Sequence, residues 1–319
     1  MREFAFELAF CAALADGERL LGRQLGTAVH GRRVLDVVSV EPGPAFDERA
    51  AITSQTIPAP AVESDVGPGR ARFWKDAFDC HPETARSAVE RAVEIGFFER
   101  ERRGSRTHIR QTARYPDDWF GRLVGIENKP DLGRPGDLET QLLTDVELAL
   151  VDEIVLATAT HVTGAHLNRI PDAVGVWEFD PATGERTVVR EPDPLSTSEP
   201  GLDVIERTPT RTDVQVATAA EKARQRRRVA ERVYGKGWRP AEYPACAVVD
   251  PDPDGLPYCP WADRVVHPAA DCGTHCGGHE PAEPPDVDVA ALRAAGSSWT
   301  PDPDGRRRRQ AGLDRFSTG

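Results

Sequence analysis

Lysine is nearly missing from this sequence: four lysines stand against thirty-six arginines, and methionine occurs once. Basic residues are also outnumbered, 40 to 52, which leaves a formal charge of −12. A field of that sign excludes a uniformly cationic nucleic-acid coat. No run of about 18 apolar residues is present, which excludes a membrane-spanning helix. The apolar stretch from Phe4 to Ala15 has no basic cluster before it and contains Glu7, so it lacks the layout of a signal peptide. The expected location is the cytoplasm, and no membrane partner is expected. With 39 % hydrophobic and 29 % charged residues, the chain is neither collagenous nor wholly disordered. Its length suits about two domains and a tail.

Scarce lysine with abundant acid and arginine is the composition of a GC-rich genome and a high-salt cytoplasm. At molar salt the Debye length is about 3 Å. A negative total then repels DNA weakly, and local islands of charge decide what binds.

The pattern along the chain predicts a helix over 2–15 and a strand over 33–40, ended by Pro42-Gly43-Pro44. Residues 53–70 read as loop. A helix opens at His81-Pro82-Glu83 and runs to Ile95, with Gly96 ending it. Strands over 97–102 and 107–112 flank a turn at Arg103-Gly104-Ser105. Further along come a strand over 123–127, a helix over 137–150 and a strand over 153–158. A hairpin over 173–179 and 186–190 follows. Residues 191–213 read as a Pro-rich linker, 217–234 as a basic helix, and 281–319 as a disordered tail.

Glu127-Asn128-Lys129 closes one of these strands. Alternation along the strand places Glu127 and Lys129 on the same face. A carboxylate suits Mg²⁺ or Mn²⁺, which take oxygen ligands. A lysine beside it can orient water or stabilise charge on phosphate. A second carboxylate must come from elsewhere in the chain.

The succession of a helix carrying Glu7, a strand carrying Asp36, the strand ending Glu127-Asn128-Lys129, a helix holding Gln141 and a strand after Asp152 resembles the PD-(D/E)XK nuclease superfamily. The resemblance covers residues 1 to about 200, less an insertion. It implies an α/β, restriction-endonuclease-like core with a central mixed sheet flanked by helices. It also implies metal-dependent hydrolysis of DNA phosphodiesters. Asp36 and Glu127 would hold the metal, Lys129 would complete the catalytic set, and Glu7 and Gln141 would support it. The sequence departs from the family in Asn128 and in the distance of Asp36 upstream. Asp117, after Pro116, matches the literal motif more closely but has no strand before it.

Residues 71–114 resemble a winged helix-turn-helix, with ten basic against seven acidic residues, a net of +3. Arg86 and Arg91 lie on its helix, and Arg100, Arg102, Arg103 and Arg106 surround its wing. These arginines suit phosphate contacts and guanine, so DNA is the expected partner. A packing or dimerisation role is the alternative. Residues 221–239 carry eight basic and two acidic residues and read as a phosphate-contacting helix or as a solvated face.

Four cysteines, Cys246, Cys259, Cys272 and Cys276, crowd into 31 residues rich in glycine and proline. That spacing suits Zn²⁺ or, as the alternative, an iron–sulfur cluster. The expected layout is thus a core from 1–52 and 115–200, an inserted winged helix at 53–114, a linker and basic helix at 201–239, and a metal knuckle at 240–280. A second copy of the chain is a candidate partner. A DNA-binding regulator with a degenerate core and a protein-interaction module are the competing readings.

Overall fold

The computed structural model describes residues 2–208 and 210–303. The chain forms two units. The first comprises Met1–Pro42 and Gly121–Trp299, and the second contains Gly43–Phe120. In chain order the elements begin with α1 (Glu3–Leu14), β1 (Leu20–Gly26) and β2 (Val34–Pro42). The second unit carries α2 (Phe46–Ala50), α3 (Ala59–Val62), β3 (Arg72–Phe73), α4 (Pro82–Glu94), β4 (Phe98–Arg103) and β5 (Arg106–Gln111). Next come β6 (Phe120–Asn128), α5 (Leu138–Leu148), β7 (Glu153–Thr158), α6 (Gly164–Leu167), β8 (Gly175–Asp180) and β9 (Glu185–Arg190). The rest is β10 (Gly201–Thr208), β11 (Arg211–Ala217), α7 (Ala219–Lys236), β12 (Asp250–Pro251), β13 (Pro257–Cys259), β14 (Arg264–Val265), α8 (Pro268–Asp271) and α9 (Val289–Ala295).

The fold is mixed α/β. A six-stranded sheet of order β1-β2-β6-β7-β8-β9 forms the centre, flanked by helices. β1 and β2 are antiparallel, β6, β7 and β8 run parallel, and β9 returns antiparallel. Helix α1 is almost wholly apolar. It buries Phe6, Leu8, Phe10, Cys11 and Leu14 against Leu21, Val37, Val124, Ile126, Val155 and Phe179 of the sheet. Buried side chains of this size stabilise by about 1.5–3 kcal/mol each. Strands β6 and β7 are apolar through the core, with Glu127 and Asn128 at the end of β6, whereas β2 carries Asp36 and a buried Ser39 along its length.

The inserted unit spans 43–120, wider than the 53–114 expected. Its two ends are tied together, because the Gly43 N–H donates to Trp119 O at 2.8 Å. A Cβ at Gly43 would meet Asp118 O at 2.4 Å, so glycine is needed at this close approach. Helix α4 buries Ala85, Ala88, Val89 and Ala92, and the His81 ring accepts from Glu83 N. Gly96, at φ +79°, ends the helix in the left-handed region. The β4–β5 hairpin turns on Gly104-Ser105 with Gly104 at φ +61°. Its sheet has the order β3-β5-β4. The segments before α4 are short: α3 has four residues, and residues 74–76 form a single 3₁₀ turn.

Two expectations about order change. The segment 191–213, read as linker, carries strand β10, and β10 and β11 pair as a hairpin across 201–217. The tail read as disordered from 281 carries α9, whose N-cap Asp288 accepts from Ala291 N at 2.9 Å. Beyond α9, Trp299 is buried, and Arg293 donates to backbone carbonyls at the end of α7. The Arg306–Arg309 run lies outside the described residues. Among the described residues, no helix is long and apolar enough to cross a membrane.

Candidate functional site

Strands β2 and β6 are neighbours at the centre of the sheet, and each contributes a carboxylate. Asp36 on β2 accepts the Asn128 backbone N–H at 2.9 Å. Glu127 on β6 is buried and accepts from Arg33 Nη2 at 2.6 Å. The same guanidinium holds Asp145 of α5 through paired hydrogen bonds, at 2.9 and 2.7 Å. Glu7 of α1 accepts from Arg23, and also from Gln24 Nε2 at 2.9 Å. The Gln24 amide reaches Asp36 as well, at 3.1 Å. Gln24 sits at φ +51°, a left-handed backbone that costs a non-glycine residue about 1–2 kcal/mol. That strained residue joins two acids from different elements.

Of four carboxylates, Glu7, Glu127 and Asp145 thus share two guanidiniums, from Arg23 and Arg33, while Asp36 accepts from Gln24 and the Asn128 backbone. Burial is the main force on each acid. It pushes Glu127 up to about 8, with Asp36 adding repulsion and Arg33 opposing both. Asp145 is pushed up to about 6 by burial, against Arg33. Asp36 and Glu7 also rise, first through burial. When all four ionise, their charge exceeds that of the two guanidiniums by two. A divalent cation carries the complementary charge.

Lys129 follows β6 and pairs with Glu3 at 3.1 Å. Glu3 in turn acts on Asp36 through its charge, so Lys129 stands at the rim of the cluster. Gln141 is half-buried one helical turn before Asp145. Among the described residues, no hydrogen bond joins its side chain to the four acids. Asp117 is exposed in a bend of the other unit, and within the first unit Asp36 is a carboxylate whose charge acts on Glu127.

Arg23, Gln24, Arg33 and Asp145 are members of the cluster that sequence reasoning misses. Asp145 leaves a signal, since it falls three residues after Leu142 on the buried stripe of α5. Arg33 leaves none, because an arginine at a strand edge reads as a solvated residue.

In the inserted unit Arg86, Arg100, Arg102, Arg103 and Arg106 are exposed and Arg91 is half-buried. Arg91 pairs with Glu94 at 2.8 Å and Arg103 with Glu101 at 2.8 Å. Arg106 lies over the Phe73 ring. Arg86 on α4 and Arg100 and Arg102 on β4 project into solvent, and alternation puts the latter two on one face.

Helix α7 differs from the expected basic helix. Lys222 is buried and donates to Ser196 O and Glu199 O, and Arg226 donates to Leu150 O and Asp152. Arg232, Lys236 and Arg239 donate to backbone carbonyls of Gly26, Arg23 and Asp254. These cations tether the helix within the first unit, while Arg224, Arg232 and Lys236 remain exposed, so the face read as phosphate-contacting or solvated is also a tethered one.

Cys246 and Cys259 are buried with Val249 and Val266, and Cys272 packs against them. Burial pushes the Cys272 thiol up, and the charges of Cys259, Cys246 and Cys276 add to it. The four thiols therefore gather in one small cluster. Among the described residues, however, no group of three or more His, Cys, Asp or Glu side chains is placed to hold a metal ion.

Residues 20–281 match the model of a family described as "Family of unknown function (DUF5787)". No curated protein and no solved structure matches the chain.

Proposed function

The chain belongs to the DUF5787 family, and we propose that this member hydrolyses DNA phosphodiesters with a divalent metal ion held by Asp36 and Glu127. The observation that carries the reading is the pair itself: a buried Glu127 and a half-buried Asp36 on neighbouring strands, with the charge of Asp36 acting on Glu127. The order α1, β1, β2, β6, α5, β7, with an insertion between β2 and β6, supports the resemblance to the PD-(D/E)XK nucleases. Two carboxylates suit Mg²⁺, which keeps several waters and completes its shell with substrate phosphate. Bound there, Mg²⁺ or Mn²⁺ would polarise the phosphate and lower the pKa of water. Lys129 would orient the attacking water and offset charge growing on the phosphoryl oxygens. Asn128 holds Asp36 through its backbone N–H, which leaves the identity of that side chain free to differ from the family pattern. Glu7 and Gln24 position Asp36 from the other side. The exposed arginines of α4 and β4 would bind the phosphate backbone, with the inserted unit acting as a winged helix.

One observation favours a second reading. Arg33 already satisfies Glu127, as expected of a degenerate core in a DNA-binding regulator. A single assay separates the two. Full-length protein in molar KCl, with Mg²⁺ or Mn²⁺, is incubated with single-stranded, duplex and branched DNA. Cleavage that falls at least a hundredfold in both Glu127→Ala and Lys129→Ala supports the nuclease. Binding without cleavage in either metal sinks it and leaves the regulator. Replacing Arg86 and Arg102 with alanine should weaken binding and flatten its salt dependence, by about 0.9 in log–log slope for each phosphate no longer neutralised. For the thiol cluster, the proposal of zinc or an iron–sulfur group is tested by metal analysis of the purified chain, and finding neither zinc nor iron would remove it.

A further inference from the structure

Arg33 is shared unequally between two acids. Its Nε and Nη2 donate to the two oxygens of Asp145 at 2.9 and 2.7 Å, a paired fork. Nη2 donates its second hydrogen to Glu127 Oε2 at 2.6 Å, and Nη1 donates to Val34 O at 2.5 Å. Burial works against the guanidinium charge, yet Asp145 first and Glu127 second outweigh it and hold the group above its ordinary range. Asp145 is therefore the main holder of this cation. The Asp145 side chain is 4 % exposed and that of Arg33 12 %, so little water can replace either partner. Among the described residues, the Asp145 carboxylate has no other hydrogen-bond partner.

The backbone that delivers Arg33 is tied down as well. The Thr27 N–H donates to Arg33 O at 2.9 Å across the loop between β1 and β2. Within that loop, one oxygen of Asp203 accepts the N–H groups of Val29, His30 and Gly31, at 2.8, 2.5 and 3.1 Å. Hydrogen bonds to a charged acceptor are about twice as strong as neutral ones. Arg33 thus enters the acid cluster from an anchored loop, and Asp145 sets the plane of its guanidinium.

A guanidinium is planar, and its donors point in fixed directions. Once Asp145 grips the fork, the second hydrogen of Nη2 has one direction left, and Glu127 Oε2 lies along it. That bond occupies one oxygen of Glu127. Among the described residues, no hydrogen bond reaches the other, Oε1. Charge divides in the same way. Arg33 is balanced by Asp145 and Arg23 by Glu7. The negative charges left over are those of Asp36 and Glu127, and one divalent ion matches them.

Resting on the metal-dependent reading above, we propose that Asp145 and Arg33 are positioning residues for Glu127. Asp145 holds Arg33, and Arg33 fixes Glu127 Oε2 so that Oε1 faces the divalent ion. Carboxylates that ligate metals are oriented by outer partners of this kind, and losing such a partner costs about 10–100-fold in metal affinity. Arg33 is on this account a guide rather than a plug. It guides only while Asp145 keeps its charge engaged. Freed from Asp145, the same cation would fall wholly on Glu127 and compete with the metal there.

The test titrates Mn²⁺ into the full chain in molar KCl at neutral pH, without DNA, and reads the free ion by electron paramagnetic resonance. The wild type is expected to bind one ion, and Glu127→Gln to lose it. Asp145→Asn breaks the fork and removes the balancing charge, so the dissociation constant for Mn²⁺ should rise about 10–100-fold. The double variant Arg33→Gln with Asp145→Asn carries neither charge. It should recover part of that loss, yet bind several-fold more weakly than the wild type, because nothing then orients Glu127. A purely structural defect would not be repaired by a second buried substitution. Unchanged affinity in Asp145→Asn, beside wild-type binding that Glu127→Gln abolishes, overturns the inference and leaves the metal site standing. A double variant as tight as the wild type makes Arg33 a bystander, and a tighter one makes it a plug; either overturns the inference. A wild type that binds no Mn²⁺ removes the metal reading and the positioning role with it. If far-ultraviolet circular dichroism shows Asp145→Asn unfolded, the double variant, which buries no unpaired charge, decides alone by the same comparison with the wild type.

Discussion

Glu127 carries the most testable chemistry of any single residue. Its folded-state pKa is pushed up to about 8 from an ordinary 4.5, by burial first and by Asp36 second. Between those values the folded protein keeps a proton that the unfolded chain has released. The stability this contributes is complete below about 4.5 and is lost as pH rises through 8. Glu127→Gln removes the titration and can still accept from Arg33. Without divalent metal, its melting temperature should therefore exceed that of the wild type at pH 8, and the gain should vanish below pH 4.5. Excess Mg²⁺ should raise the wild type and leave the variant unmoved, because only a ligand that binds the folded state stabilises it. A variant that gains equally with Mg²⁺ would remove Glu127 from the proposed metal site. Arg33 gives the converse result. Arg33→Ala strips the shared cation from Glu127 and Asp145, leaving buried charge without compensation, at a cost of about 3–5 kcal/mol. Urea denaturation at pH 8 reads that loss, and it should shrink at low pH, where both acids hold protons.

Elements are more legible in the sequence than the partnerships among them. Helix α4 is readable because Pro82, the first-turn acid and Gly96 mark its ends while alanines and valine recur on one face. The strand bearing Glu127 is readable because Leu123 to Ile126 is an apolar run that stops at polar residues. The β10–β11 hairpin reads as linker because Pro192, Pro194 and Pro200 crowd the segment leading into it, while Asp203 fixes it from afar by accepting the Val29, His30 and Gly31 N–H groups. Tertiary anchors such as Asp203 override the local pattern, and no short window can show them. The same cause hides the role of α7, whose cations look like a solvated or DNA-facing stripe. They reach backbone carbonyls that lie far away in sequence. At the site, Asp36, Glu127 and Lys129 are visible as residue types at strand ends. Arg33 and Gln24 are not, since their contacts arise only once the sheet is assembled. The helix start of α7 is signalled by Thr218 and Glu221, which form a reciprocal capping box, with Thr218 N donating to Glu221 at 2.9 Å. Thr218→Ala should cost about 1 kcal/mol in chemical denaturation. Thr218→Asn, another good cap, should restore most of it. No loss in the alanine variant would mean that the tertiary tethers of α7, Lys222 and Arg226 among them, hold the first turn without the cap.

The molecule as a whole carries −12 while its contacts hold many arginines in pairs. The buried acids of the site pair with Arg23 and Arg33, and surface acids such as Glu41 and Glu153 share Arg122. The excess negative charge is therefore spread over exposed residues, where salt screens it most. Self-repulsion of this kind opposes the compact state at low ionic strength. The Debye length falls from about 30 Å at 0.01 M to about 10 Å at 0.1 M and about 3 Å at 1 M. Most of the relief should thus arrive once the screening length drops below the spacing of surface charges. The melting temperature is expected to climb steeply with KCl at first and to bend toward a plateau before molar salt. A strengthening of apolar burial by salt exclusion would instead keep rising with concentration, and more with sulfate than with chloride. Comparing KCl with potassium sulfate at equal ionic strength separates the two. Coincident curves that flatten identify screening of the −12 charge, whereas a sulfate curve that keeps climbing assigns the stabilisation to burial. A melting temperature independent of salt would show that the surface acids are already compensated by their arginine neighbours, and that the composition carries no adaptation to salt at all.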